Sequence, residues 1–245
     1  MITLEARAVD FIHGAIETYG DRFAIVTGFQ LEGMVLVDIA ARIGKTVRVL
    51  SLDTGRLPPE TFAIAQLIKS RYGIEVEFIK PAPEEVDAMV ERYGPDLFYS
   101  SVAHRMLCCQ VRKVRPLERR LQPLAAYAVG LRRGQTEARG DIRHVTEEPG
   151  GRLKLAPLAD WTREMVADYT ARHHVPQHPL YALGYASIGC EPCTRAVQPG
   201  EAERAGRWWW ENGAQKECGL HFSPDGKAER QVDVLLREIL ADAHA

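Results

Sequence analysis

The sequence predicts an α/β fold, a doubly wound and mainly parallel sheet followed by a mobile C-terminal tail. Two observations carry this expectation. Short apolar runs at residues 23–26, 47–50 and 74–79 alternate with helix-period segments of about a dozen residues, and strands alternating with helices call for a parallel sheet with helices on its faces. Glycine or proline marks the junctions, at Gly28, Gly33, Gly55, Pro59 and Pro83.

Residues 4–19 place Leu4, Ala8, Phe11, Ile12, Ala15 and Ile16 at helical spacing, which suits a packing helix. The run 23–26 reads as a buried strand. It is followed by Thr27-Gly28-Phe29-Gln30-Leu31-Glu32-Gly33 and an apolar helix through Met34, Val35, Val37 and Ile39. A strand, a glycine turn and a helix can aim backbone N–H groups at an anion, and the same pattern also serves as a plain tight turn. A second strand over 45–52 ends in Leu52-Asp53-Thr54-Gly55-Arg56, with an acid at the strand end where open parallel sheets bind ligands. A helix from Pro59 to Tyr72, a strand over 74–79 and a helix from Pro83 to Tyr93 follow.

Residues 104–124 read as one helix carrying Cys108-Cys109 with Arg112, Lys113, Arg115, Arg119 and Arg120. A solvated basic face explains such a run, yet Lys113 falls four residues after Cys109, on the same side of a helix. A fourth strand over 125–131 leads into Arg132 and Arg133, with Arg139 nearby; guanidinium forks at a strand end match phosphate or sulfate geometry, and a surface cluster is the bland reading. A last strand is expected over 153–158, then a helix over 160–173 with Asp160 as its N-cap. His173, His174 and His178 form no ligand set and read as surface or turn residues. Trp208-Trp209-Trp210 reads as packing around the cysteine loop, and a terminal helix is expected over 227–241.

The chain holds five cysteines. Cys108-Cys109 and Cys190-Glu191-Pro192-Cys193 form two close pairs from distant parts of the chain, which suits one centre with four thiolates. Neighbouring helical residues project about 100° apart. A wide iron–sulfur cube tolerates that splay better than one small zinc ion, because each thiolate takes its own iron. Zinc, and redox or structural thiols, remain alternatives at this point. Cys218 stands apart, flanked by Gly219 and close to His221; its thiolate is a candidate nucleophile if cations lower its pKa, and otherwise an inert surface thiol.

A chain of 245 residues with 46% hydrophobic side chains makes a real core, as one large domain over 1–210 plus a tail over 211–245. With 31 basic and 33 acidic residues the net charge is −2, so no global field draws it to nucleic acid. Neither a signal-like N-terminus nor a run of membrane-spanning length is present, and a cytoplasmic location, where thiols stay reduced, is expected.

Together the motifs resemble assimilatory adenylyl-sulfate reductase, the iron–sulfur branch of the sulfonucleotide reductases. They are the two cysteine pairs with Thr194-Arg195, the tail Glu217-Cys218-Gly219-Leu220-His221, Leu52 to Arg56, Gly130 to Gln135, Pro157 to Thr162 and Gly184 to Gly189. The resemblance spans about residues 20–222 and implies a PP-loop fold related to adenine nucleotide α-hydrolases. It implies a [4Fe-4S] cluster on Cys108, Cys109, Cys190 and Cys193, and adenosine 5′-phosphosulfate as substrate. Cys218 would take the sulfonyl group as an S-sulfocysteine, with Lys113 and His221 assisting, and thioredoxin would release sulfite. Substrate contacts are implied at Thr27, Gly28, Phe29, Gln30, Leu52, Asp53, Thr54, Gly55, Arg132, Arg133, Arg139, Arg204 and Arg207. A homo-oligomer, dimer or tetramer, is also implied. The first loop departs from the family pattern: Gly28 stands where serine is usual and Gly33 where an acid is common, leaving Thr27 or backbone N–H groups to make that contact. Three rival readings are a reductase that prefers the 3′-phosphorylated nucleotide or uses both, a four-cysteine zinc-binding regulatory protein, and an ATP-using PP-loop enzyme that adenylates a substrate.

Overall fold

The computed structural model describes residues 2–135, 139–211 and 226–243, without the side chains of 226–230. Its contacts divide the chain into two compact units. One comprises Met1–Ser51, Pro58–Phe78 and Leu121–Ile188; the other comprises Leu52–Leu57, Ile79–Arg120 and Gly189–Ala245.

The first unit is built on a six-stranded sheet. In chain order the strands are β1 (Phe23–Val26), β2 (Arg48–Leu52), β3 (Val76–Ile79), β4 (Ala126–Val129), β5 (Val145–Glu147) and β6 (Leu153–Leu155). Across the sheet they run β3-β2-β1-β4-β6-β5. β1 pairs parallel with β2 and with β4, aligning Ile25 with Val49 and with Ala128, and β4 pairs parallel with β6. β5 closes one edge antiparallel to β6. The order departs in both directions from β1 and β4, so the switch point lies beyond their C-terminal ends, where such sheets bind ligands.

Period and punctuation explain the helices of this unit. α1 (Leu4–Tyr19) buries Ala8, Ile12, Ala15 and Ile16, one stripe of its surface, and Thr3 caps it by accepting from Ala6 N–H. α2 (Leu31–Ile43) is buried along most of its length and stops at Gly44, which takes the left-handed conformation that favours glycine. α3 (Pro59–Tyr72) starts on a proline, whose missing N–H costs nothing in a first turn, and stops at left-handed Gly73. Phe23, Ile25, Val35, Ile39, Val49 and Ile64 meet in one core. Each fully buried side chain of this size contributes roughly 1.5–3 kcal/mol relative to exposure. Asp38 is buried in that core yet satisfied: Tyr72 and Tyr169 hydroxyls donate to it at 2.8 Å, and Arg42 at 2.6 Å.

Three expectations change here. β6 ends at Leu155, short of residue 158. β5 was not foreseen; its three residues are all exposed and offer no apolar alternation. The N-cap of α7 (Arg163–Arg172) is Thr162, which accepts from Met165 N–H. Asp160 instead pairs with Arg133 and His144, so tertiary partners outcompete the capping role. Of the surface or turn role expected for His178, the turn is what the structure has: His178 caps the 3₁₀ turn Pro179–Leu183 with Nδ1 accepting from Leu180 N–H, while it is 1% exposed and its Nε2 meets the Thr61 hydroxyl at 3.1 Å.

The second unit is helical. α4 (Pro83–Tyr93) and α5 (Val102–Cys109) are followed by a π-turn at Gln110–Val114, then α6 (Arg115–Leu121) and, at the C-terminus, α8 (Gly226–Asp242). The single helix expected over 104–124 is thus three pieces. A π-turn inserts one extra residue per turn and often marks a functional site. Met89, Phe98, Leu107, Val111, Trp208 and Ile239 form this unit's apolar core, and Cys190 and Cys193 belong to the same cluster.

Candidate active site

In the second unit the four paired cysteines line one pocket, with Arg56, Phe98, Arg105, Arg112, Lys113 and Pro192. Cys108 and Cys109 end α5. Cys190 opens and Cys193 closes a short 3₁₀ turn that starts with Glu191-Pro192. Cys109, Cys190 and Cys193 are buried, Cys108 is half-buried, and none is in a disulfide. The turn is held by Cys193 N–H donating to Cys190 O at 3.0 Å and by the Thr194 hydroxyl donating to the same carbonyl at 2.8 Å.

The loop Leu52–Leu57 supports this pocket. The Thr54 hydroxyl lies 3.2 Å from Cys190 Sγ, Glu191 N–H donates to Arg56 O, and Arg112 Nη1 donates to Thr54 O at 2.8 Å. Arg56 is in turn held by Asp96 and the Pro95 carbonyl. Asp53 accepts from Gly55 N–H and lies 3.8 Å from Lys80. The resemblance implies substrate contacts at Leu52, Asp53, Thr54 and Gly55; Thr54 is also a neighbour of the Cys190 sulfur. On the other side Arg207 donates to Cys193 O at 3.3 Å, and a Cβ on Gly189 would collide with the Arg207 guanidinium. Only a glycine lets that cation lie against the chain before Cys190. Arg204 and Arg207 both face the Trp208 ring, at 5.8 and 4.7 Å. Of the basic run on α5 and α6, Arg115 and Arg119 hold Glu85, whereas Arg112 and Lys113 line the cysteine pocket.

The electrostatics are uneven among the thiols. Burial works against the Cys190 thiolate, but Lys113, Thr54 and Arg207 overcome it and the pKa falls below the ordinary value. Burial, then the Cys190 charge, push Cys193 up to about 12. Burial also raises Cys108, with Arg112 partly opposing. Of these three thiols, Cys190 is the one that its surroundings favour as a thiolate.

That donor set fits an iron–sulfur cluster. Four cysteines share one pocket, a thiolate donor for each iron of a cube. Of four buried donors without a hydrogen-bond partner among the described residues, two lie away from the cysteines, Arg139 Nε and Trp161 Nε1; the other two, Arg112 Nε and Trp208 Nε1, belong to residues that line the cysteine pocket or share its apolar cluster. Buried donors left unmatched cost about 1–3 kcal/mol each, and cluster sulfur is an acceptor for them.

In the first unit the loop after β1 holds the other expected residues. Thr27 N–H donates to Leu50 O, and its hydroxyl accepts from Phe29 N–H at 2.9 Å. Phe29 is fully buried with φ +58°, uncommon for a bulky residue, and Gln30 precedes the first turn of α2. Gln30 Oε1 accepts from the Ser187 hydroxyl and Ile188 N–H, and Leu31 N–H donates to the Tyr181 hydroxyl. A Cβ on Gly33 would overlap Thr27 Oγ1, and one on Gly130 would lie 2.6 Å from Gly33 N, so the end of β4 packs directly on the start of α2. Arg132 is buried and pairs with Glu32 at 2.7 Å; Arg133 pairs with Asp160, and Arg139 donates to Gln135. These three arginines are thus each positioned by a neighbour. Cys218 and His221 lie outside the described residues. Arg105 and Phe98 were not foreseen as site residues, and the Arg105 contacts are tertiary and leave no local signal; Trp208, read from the sequence as packing around the cysteine loop, does cluster with Cys190 and Cys193.

A family model described as the phosphoadenosine phosphosulfate reductase domain matches residues 22–196. The chain is 42% identical over 226 residues to a protein of Allochromatium vinosum named adenosine 5′-phosphosulfate reductase, covering 91% of this chain and 88% of that one. It is 47% identical over 178 residues to a protein of the same name from Rhizobium tropici, covering 72% and 99%. Among solved structures, a phosphoadenylyl-sulfate reductase from Candida auris, in a phosphate complex, superposes with a TM-score of 0.63 at 24% identity, over 78% of this chain and 90% of that one. An FMN adenylyltransferase from Candida glabrata does so at 0.54 and 11%, over 94% and 82%. At those identities the structural likeness speaks for the fold, and the fold is the mainly parallel, PP-loop-like one. With the family model covering most of the chain and relatives above 40% identity along nearly its whole length, the protein belongs to the phosphoadenosine phosphosulfate reductase domain family, the sulfonucleotide reductases.

Proposed function

We propose that the protein reduces adenosine 5′-phosphosulfate to sulfite and AMP in assimilatory sulfate reduction, with the nucleophile on a tail over 211–245 and the rest of the machinery in 1–210. The observation that supports this most is the meeting of both cysteine pairs in one basic pocket, in a chain whose relatives carry that enzyme's name. The pairs also favour the nucleotide without a 3′-phosphate, because sister enzymes specific for the phosphorylated one generally lack them.

The Cys218 thiolate attacks the sulfate sulfur, the bond from that sulfur to the bridging oxygen breaks, and AMP leaves with the electron pair. The product is Cys218-S-sulfonate. A dithiol protein of the thioredoxin class then attacks Cys218 Sγ and expels sulfite; its second thiol closes a disulfide and returns Cys218 as a thiol, so the dithiol supplies two electrons. Thiolate attack on an anionic sulfonyl group needs cations. Lys113, Arg204, Arg207 and His221 are assigned that role. Thr27, Gly28, Phe29 and Gln30 contact the nucleotide from the loop before α2, with Leu52, Asp53, Thr54 and Gly55 at the end of β2, and Arg132, Arg133 and Arg139 serve its phosphosulfate. Cys108, Cys109, Cys190 and Cys193 would hold a [4Fe-4S] cluster, which supplies structural and electrostatic support when bound. The reaction belongs in the cytoplasm, and the working enzyme is a homo-oligomer.

The test is anaerobic purification, iron and sulfide analysis, and turnover with each nucleotide and reduced thioredoxin. A brown protein that releases sulfite faster from adenosine 5′-phosphosulfate than from its 3′-phosphate fits. Iron-free, colourless protein with full activity contradicts the cysteine assignment, and preference for the 3′-phosphate contradicts the substrate.

A further inference from the structure

Glu211 is the last described residue before 212–225, and it is buried. Its carboxylate takes Arg105 in a two-point fork: Nε to Oε1 is 2.8 Å and Nη2 to Oε2 is 3.0 Å, with side chains only 3% and 4% exposed. Arg105 stands on α5, three residues before Cys108, and lines the cysteine pocket. The same guanidinium lies 4.5 Å from the centre of the Trp208 ring. Trp208 is fully buried at φ +42°, its backbone N–H donates to Cys193 O at 3.3 Å, and its carbonyl accepts from Glu211 N–H at 3.0 Å. The turn 208–211 is therefore clamped from several sides at a backbone angle that surrounding structure must enforce.

Burying two charges costs several kcal/mol per ion before pairing, and an apolar pair of similar volume often serves stability as well or better. What a bidentate fork adds is direction, since it sets angle as well as distance. Cys218 lies seven residues beyond Glu211. A fully extended span of that length reaches about 25 Å, so the starting point of the segment limits where the thiol can go. We propose that the Arg105–Glu211 pair is a positioning device: it ties the start of the Cys218 segment to the helix that carries Cys108 and Cys109. This rests on the reading of Cys218 as the nucleophile.

The double variant R105M/E211L removes the fork while filling its volume; E211D keeps a carboxylate, and E211Q keeps shape without charge. Anaerobically purified proteins are compared for iron content, unfolding midpoint, AMP affinity and the single-turnover rate of sulfonate formation on Cys218 at saturating nucleotide, per loaded chain. The double variant is expected to keep iron, midpoint and AMP affinity and to slow adduct formation by at least about tenfold, as an ångström of misplacement can cost about a hundredfold. E211D is expected to recover part of that rate and E211Q less. A double variant that forms the adduct at the wild-type rate overturns the proposal. So does loss of iron in the double variant with wild-type rates per loaded chain in both E211D and E211Q. Failure of the nucleophile reading looks different: wild-type protein itself then carries no adduct on Cys218.

Discussion

A Cβ on Gly33 would overlap Thr27 Oγ1 and sit 3.1 Å from Thr27 Cβ, tighter than ordinary contact from 3.4 Å. Gly33 is in the first turn of α2, where alanine would otherwise gain about 1 kcal/mol in helix propensity. Overpacking of this kind costs about 1–3 kcal/mol. G33A is therefore expected to destabilise by up to about 2 kcal/mol, the overlap outweighing the propensity gain. T27A loses the hydrogen bond from Phe29 N–H, at about 1 kcal/mol. In the T27A background the oxygen is gone and only the 3.1 Å contact remains, so adding G33A should be close to neutral. The four proteins form a double-mutant cycle, read by urea unfolding and by AMP affinity, with a coupling of about 1–2 kcal/mol expected. Additive costs, within about 0.5 kcal/mol, would refute the claim that the Thr27 hydroxyl occupies the space a side chain at 33 needs.

Two further expectations concern the second unit. Cys190→Ser should lose iron and lower the unfolding temperature, because metal binding is coupled to folding; iron analysis and calorimetry check it, and full iron retention would exclude Cys190 as a ligand. Arg115 first, and then Arg119, hold the Glu85 carboxyl below its ordinary 4.5 against the opposing effect of burial. A lowered folded-state pKa means that the contribution is whole above about 4.5 and is lost as pH falls through the folded value. E85Q should flatten the acid limb of stability against pH, read by urea midpoints from neutral to acid pH.

Much of the fold was legible because its signals are local. The stripe of α1, proline at the start of α3 and α4, and glycine after α2 and α3 mark their ends within a residue or two. The misses have physical causes. β5 is itself the edge strand, three exposed residues paired on one side only with β6, so it carries no apolar alternation of its own. Asp160 and Thr162 both suit a helix N-cap; Arg133 and His144, distant in sequence, claim the aspartate. The π-turn after Cys109 was invisible because nothing in Gln110–Val114 excludes an ordinary helix. At the site, cysteine spacing announced the shared pocket. The supporting layer did not show, since Thr54 beside Cys190 and Arg105 on Glu211 span 136 and 106 residues.

In the proposed function four of the five cysteines hold metal and one, Cys218, attacks sulfur. The most direct test is mass spectrometry of the intact and digested protein after adenosine 5′-phosphosulfate is added without reductant. One added sulfonate group, on Cys218, absent in Cys218→Ser and removed by reduced thioredoxin, is the expected result. Sulfite release by Cys218→Ser, or a sulfonate group on any of Cys108, Cys109, Cys190 or Cys193 instead, would contradict it.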